Sequence, residues 1–201
     1  MRLLRYGTHG VLVEPDDRAD VLPLAAAVAD LTGVREVVPA ARTLLAVLEP
    51  DADPAAVAAA IRSRPVPAAG DSTGATEPVV LDVRYDGPDL ESTAAELGLD
   101  PAELVRRHCA GDYVVAFCGF APGFAYLTGL DESLHVSRRA EPRTRVPAGA
   151  VGIAGEFTGV YPRPSPGGWR LLGRTDAALW DLDRSPPALL GPGTRVQFRA
   201  T

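Results

Sequence analysis

A chain of 201 residues is long enough for one ordinary domain or two small ones, each burying a modest core. Its formal net charge of -6 argues against a general nucleic-acid binder, which needs surplus cations to neutralise phosphates. All 20 basic residues are arginine, so the chain holds no phosphate-loop, Schiff-base or biotin-carrying lysine and no Ser/Lys amidase pair. Charges or prolines interrupt every apolar run before the roughly 20 residues needed to cross a bilayer, so no membrane span is expected. Cys109 and Cys118 follow no charged-then-apolar leader, and the expected compartment is the reducing cytoplasm.

The first predicted element is an apolar strand near Gly10 to Glu14, followed by an Ala/Leu-rich helix near Asp20 to Leu31. Strands are expected at Arg35 to Pro39 and Thr43 to Glu49. A helix then starts at Asp53-Pro54, where Asp caps orphan N–H groups and Pro suits the first turn, and it runs to about Arg64. Arg64 to Glu77 is rich in Pro, Ala, Gly, Ser and Thr and reads as a loop or linker. A strand from Pro78 to Arg84 would complete a β-α-β-β-α-β order, that of a ferredoxin-like domain spanning residues 1–84.

From Tyr85 the pattern changes. Helices are expected near Asp89 to Leu97 and Pro101 to Cys109, the second opened by Asp100-Pro101-Ala102-Glu103, with a capping Asp and a Glu at the third helical position. Short β-like runs follow at Tyr113 to Cys118, Val151 to Ala154, Trp169 to Leu172 and Arg195 to Phe198, each bounded by Gly or Pro. Many short strands with frequent turns favour a barrel or sandwich for residues 85–201, and the fold class is α+β.

Three segments are candidates for chemistry. Gly119 to Leu127 places Phe120, Phe124 and Tyr126 around the turn Pro122-Gly123, and these rings either fill a core or form an exposed binding surface. Arg138 to Arg145 gathers Arg138, Arg139, Arg143 and Arg145 against the single Glu141, a cluster suited to carboxylates or phosphates unless it is simply a solvated strand. In Ser165-Pro166-Gly167-Gly168-Trp169, consecutive glycines free backbone N–H groups for a ligand or oxyanion, and an ordinary loop is the alternative. The segment lacks the Gly-Lys-Ser/Thr ending of a phosphate loop.

His108 is the best single candidate for proton transfer, because imidazole titrates near neutrality and a helix C-terminus favours its charged form; a core histidine is the competing reading. The three histidines and two cysteines lack zinc-site spacing, so no structural metal is expected.

Taken in order, His108 with Tyr113, Gly119 to Leu127, Arg138 with Pro142-Arg143, Val146 to Gly149, Val151 to Gly155, Thr158 to Pro162, Ser165 to Trp169 and Gly173 to Thr175 resemble the allophanate hydrolase subunit 1 family, of carboxyltransferase subdomain C and D type. That family includes the 5-oxoprolinase B-subunit and the kinase inhibitor KipI. The resemblance implies a cyclophilin-like barrel for the second domain and a partner related to allophanate hydrolase subunit 2, of the 5-oxoprolinase C-subunit type. It also implies a third lactam-utilisation protein and ATP used by the complex at a site not placed on this chain. It suggests His108, Arg138 and Arg143 as catalytic groups. Tyr113, Phe120, Pro122, Gly123, Phe124, Tyr126, Ser165, Gly167, Gly168 and Trp169 are then the substrate-binding surface. The leading expectation is a subunit of an ATP-dependent 5-oxoprolinase, inactive alone. A biotin-linked carboxyltransferase subunit and a KipI-like kinase inhibitor are the alternatives. Ser137, Ala150 and Phe157 depart from the family's usual Pro, Ser and Gln, which bears on substrate specificity.

Overall fold

Short polar turns and period-two burial build the N-terminal part. Strands β1 (Arg2–Arg5) and β2 (Gly10–Glu14) form an antiparallel hairpin, followed by helix α1 (Val21–Ala29), strands β3 (Val34–Pro39) and β4 (Leu44–Leu48) and helix α2 (Pro54–Ser63). The Asp53 carboxylate accepts from the Ala55 N–H at 2.9 Å, and Pro54 follows it, so α2 begins where the Asp-Pro pair predicts. In β4 Leu44, Ala46 and Leu48 are buried while Leu45 and Val47 are not, and Val57 and Ile61 supply the matching face of α2. These residues share one core with Val11, Val13, Leu24 and Val28.

The computed structural model describes residues 1–66 and 77–201, and the chain divides into units Met1–Thr76 and Glu77–Thr201. Most of the expected linker therefore lies outside the described residues. The N-terminal sheet runs β1-β2-β4-β3, all antiparallel. The expected closing strand, Pro78 to Arg84, is not part of it. Instead β5 (Val79–Val83) pairs in parallel with β13 (Arg195–Ala200) in the second unit, and β1 takes the edge beside β2. The sequence hides β1 because its two leucines are adjacent between arginines, with no alternation to read.

In the second unit, helices α3 (Leu90–Glu96) and α4 (Pro101–Ala110) precede strands β6 (Tyr113–Cys118), β7 (Ala125–Thr128), β8 (Arg143–Val146), β9 (Ala150–Ala154), β10 (Phe157–Val160), β11 (Ser165–Gly167) and β12 (Arg170–Arg174), with β13 last. Asp100 caps α4 by accepting from the Glu103 N–H at 2.8 Å. Seven strands form one sheet, β12-β9-β10-β7-β6-β13-β5. Its two edges meet where Arg84 and Arg174 each donate a backbone N–H to the other's carbonyl at 2.9 Å, giving a nearly closed barrel. The interior is apolar, with Leu81, Val115, Leu127, Ile153, Leu172 and Phe198 among its buried residues. Strands β8 and β11 form a separate two-stranded ribbon, pairing Arg143 with Gly167 and Val146 with Ser165. Among the described residues, no helix is long and apolar enough to cross a membrane.

Candidate functional site

The connection from β6 to β7 is a double turn. The Phe124 N–H donates to the Ala121 carbonyl at 2.9 Å across Pro122-Gly123, with Gly123 at φ +83°, the left-handed position that a type II turn reserves for glycine. Just before it, the Ala121 N–H donates to the Gly119 carbonyl at 2.7 Å, closing a three-residue turn on Phe120. Phe120 has φ +68°, the only non-glycine residue with positive φ among those described, and its ring is 56% exposed. A bulky residue held there is strained, so the neighbouring structure must impose the conformation.

That neighbouring structure is a cluster of aromatic rings. Phe124, Tyr161 and Trp169 are buried, and their rings meet edge to face at centroid distances of 5.3–5.4 Å for the two pairs that involve Phe124. Phe120 rests on this layer, 5.3 Å from Phe124 and 6.1 Å from Tyr161. Tyr126, half-buried, contacts Trp169, stacks on Phe117 at 4.3 Å and meets Phe157 at 5.8 Å. The aromatic at position 157 thus extends the cluster.

The glycine segment serves this packing. A Cβ on Gly167 would lie 2.4 Å from the Tyr161 hydroxyl. The Gly168 carbonyl accepts from the Arg139 N–H at 2.8 Å. Ser165 donates its hydroxyl to the Arg163 carbonyl at 2.9 Å. At Gly167 the absence of a side chain is thus used for packing against Tyr161. Burial raises the Tyr161 pKa, while the Trp169 N–H and the nearby charges of Arg138 and Arg143 oppose the rise. Arg143 pairs with Gly167 across the β8–β11 ribbon, and Arg139, next to Arg138, bonds Gly168, which sets both arginines beside the segment that covers the aromatic layer.

The arginines are organised by a residue that sequence reasoning missed. Asp89, 2% exposed, accepts on a single oxygen from Arg139 Nη1 at 2.9 Å and Arg143 Nη2 at 2.8 Å, and on its other oxygen from the Leu171 N–H at 2.8 Å. Burial pushes its pKa up, but the Arg143 and Leu171 hydrogen bonds and the two guanidinium charges more than offset this, leaving it below the ordinary carboxylate value. In sequence Asp89 reads as the start of a helix. In the structure it precedes α3 without capping it. Arg143 Nη1 is buried with no hydrogen-bond partner, and Arg138, exposed, has no carboxylate partner among the described residues.

His108 and Tyr113 belong elsewhere, in the barrel interior, each at most 1% exposed. Tyr113 donates its hydroxyl to the His108 carbonyl at 2.8 Å. The Thr158 hydroxyl spends its proton on the Gly152 carbonyl at 3.1 Å, so it accepts from His108 Nε2–H at 2.9 Å. His108 Nδ1 then accepts from the Tyr85 hydroxyl at 2.7 Å, and Tyr85 accepts from the Cys109 thiol at 3.3 Å. Every member of this chain donates once along it, and burial pushes the His108 pKa down to about 3. His108 does sit in the last turn of α4, but the expectation that the helix end favours its charged form is overturned: desolvation outweighs the helix dipole. Among the described residues, no group of three or more His, Cys, Asp or Glu gathers to hold a metal ion.

The structure thus brings Arg138, Arg143, Phe120, Phe124, Tyr126, Gly167, Gly168 and Trp169 together and leaves His108 and Tyr113 out. The model of the carboxyltransferase domain, subdomain C and D, matches residues 1–190. The 5-oxoprolinase B-subunit of Escherichia coli O157:H7 is 54% identical over 112 residues, which cover 56% of this chain and 51% of that protein. The chain therefore matches about half the length of this curated relative. Crystal structures of TTHA0988 include one that superposes with a TM-score of 0.82 at 35% identity, covering 96% of this chain and 40% of that one. The Kluyveromyces lactis urea carboxylase shares the fold, with a TM-score of 0.69 at 18% identity over 99% of this chain and 21% of its own. With the family model matched over nearly its whole length, the chain belongs to the carboxyltransferase domain family, subdomain C and D.

Proposed function

We propose that this chain is one subunit of an ATP-dependent 5-oxoprolinase, which opens 5-oxoproline to L-glutamate, and that it is inactive alone. Its partners are an allophanate hydrolase subunit 2-like protein, of the 5-oxoprolinase C-subunit type, and a third lactam-utilisation protein. The barrel unit is then of the cyclophilin-like kind, and the complex works in the cytoplasm, in keeping with the free thiols of Cys109 and Cys118.

The observation that carries this reading is the surplus of guanidinium groups beside an aromatic layer. Asp89 neutralises one of the two arginines it holds, and Arg138 adds a further cation. 5-Oxoproline has matching chemistry: a carboxylate for a guanidinium fork and a small lactam ring whose methylene groups suit an apolar wall. The similarity to the 5-oxoprolinase B-subunit of two bacteria supports the same assignment.

The glycine-rich segment does not suit a nucleotide's phosphates, because Gly167 is covered by Tyr161 and the segment lacks the Gly-Lys-Ser/Thr ending of a phosphate loop. No ATP-dependent step is assigned to these residues. What the chain supplies is binding and orientation of the anion, while His108 is kept neutral by burial and spends its ring nitrogens on Tyr85 and Thr158.

Co-expression with the two candidate partners, followed by an assay of ATP-dependent glutamate release from 5-oxoproline, tests the proposal. Release from the full set and from no single protein is expected. Failure of every combination, together with tight binding of this chain to a histidine kinase, would overturn it.

A further inference from the structure

The second unit carries a cleft of about 360 Å³ with Arg143, Arg145 and Arg174 on its walls, bounded also by Pro88, Pro147 and Leu171. Its charges are not balanced. Arg174 pairs with Asp86, also at the cleft, through Nε at 3.1 Å and Nη2 at 2.8 Å. Arg143 has only a share of Asp89, which it divides with Arg139. Arg145 is exposed, and its guanidinium has no hydrogen bond or ion pair among the described residues. A positively charged cleft in a chain of net charge -6 is a local arrangement that composition does not explain.

The chemistry of the cleft narrows its ligand. Backbone donors beside it are already used: the Asp86 N–H bonds the Arg84 carbonyl, and the Gly87 N–H bonds the Leu172 carbonyl. A bare phosphate would find guanidinium groups on some sides and proline and leucine surfaces on others, leaving oxygens without donors. A carboxylate presents its oxygens at one end, where a guanidinium fork meets both, and its hydrocarbon part suits Pro88, Pro147 and Leu171. The volume exceeds that of one phosphate ion and admits a small organic acid.

We infer that this cleft binds a small organic acid, its carboxylate held by Arg143, Arg145 and Arg174 and its carbon chain lodged against the apolar walls. Arg143 and Arg174 are the pre-set members, held by the carboxylates of Asp89 and Asp86, whereas Arg145 is exposed and adjusts to the ligand. The inference deepens the proposed function and rests on it only for the identity of the acid, 5-oxoproline or its product glutamate.

The test is titration of the full chain, without ATP or partner subunits, with 5-oxoproline, L-glutamate and inorganic phosphate, followed by calorimetry and NMR. At least one acid is expected to bind more tightly than phosphate. Arg145→Gln and Arg174→Gln should each weaken that acid about tenfold, the loss of a charge-assisted hydrogen bond. Arg106→Gln, at an exposed helix arginine paired with Glu103, should change nothing. Absence of binding by either acid, unchanged affinity in both cleft variants, or tighter binding of phosphate would each overturn the inference. The outcome is separable from turnover: a bound acid with an inactive complex sinks the 5-oxoprolinase reading alone, and turnover insensitive to both variants sinks the cleft alone.

Discussion

The barrel interior around His108 and the rim around Arg143 both join distant segments through polar side chains, but their bonds balance differently. In the interior the Cys109 thiol, Tyr85, His108 and Thr158 each donate once along one chain ending on the Gly152 carbonyl, and no charge is involved. At the rim one carboxylate serves two guanidinium groups, Arg143 Nη1 has no partner, and Arg138 and Arg145 have no carboxylate of their own among the described residues. A completed network has its bonding capacity spent on the fold. An uncompleted one retains capacity for a ligand. Of two equally noticeable residues, His108 is thus the structural one and Arg143 the one available for function.

The comparison breaks most readily at Asp89. Replacing it by Asn leaves two guanidinium groups without their buried counter-charge, and a loss of about 3–5 kcal/mol in unfolding free energy is expected by urea denaturation. A loss below about 1 kcal/mol would mean that the arginines turn to solvent and that the rim is not pre-organised.

The interior can be sharpened by pH. A histidine with a folded pKa of about 3 and an ordinary value of 6.5 takes up its proton more readily unfolded. Its contribution to stability is therefore full above pH 6.5 and is lost as pH falls towards about 3, at up to about 1.4 kcal/mol per pH unit. His108→Asn should remove this part of the pH dependence and, by disturbing the bonds to Tyr85 and Thr158, cost about 1–3 kcal/mol at neutral pH. Identical pH slopes for the two proteins would contradict the assignment of a neutral core histidine.

The smallest effect is expected at Phe120. A glycine there relieves a left-handed strain of about 1–2 kcal/mol and adds about 0.5–1 kcal/mol of backbone entropy cost, so stability should stay level or rise slightly. Activity of the assembled complex should fall, because the exposed ring is lost. Clear destabilisation in thermal denaturation would instead make Phe120 an ordinary core residue held by Phe124 and Tyr161.

Local signals are legible wherever the bonds that satisfy them are local. The Asp-Pro starts of α2 and α4 are caps reaching two or three residues ahead, and the Pro122-Gly123 turn closes within four residues. Strand β4 shows its burial in its own alternation. Strand β5 is also visible as a strand, but its partner β13 lies at the other end of the chain, so sequence order assigns it to the wrong sheet. Asp89 reads as a helix start because a capping aspartate and a buried counter-ion have the same local context.

By itself the sequence determined the chemistry this chain lacks, through the absence of lysine, and it determined the helix starts, the aromatic turn and the order of motifs that marks the family. Only the tertiary structure decided that His108 is neutral, that Arg143 is held by Asp89 and that Gly167 makes room for Tyr161. The reason is distance along the chain. His108 meets Thr158 across 50 residues and Asp89 meets Arg143 across 54, and desolvation and charge balance are set by such neighbours rather than by adjacent ones.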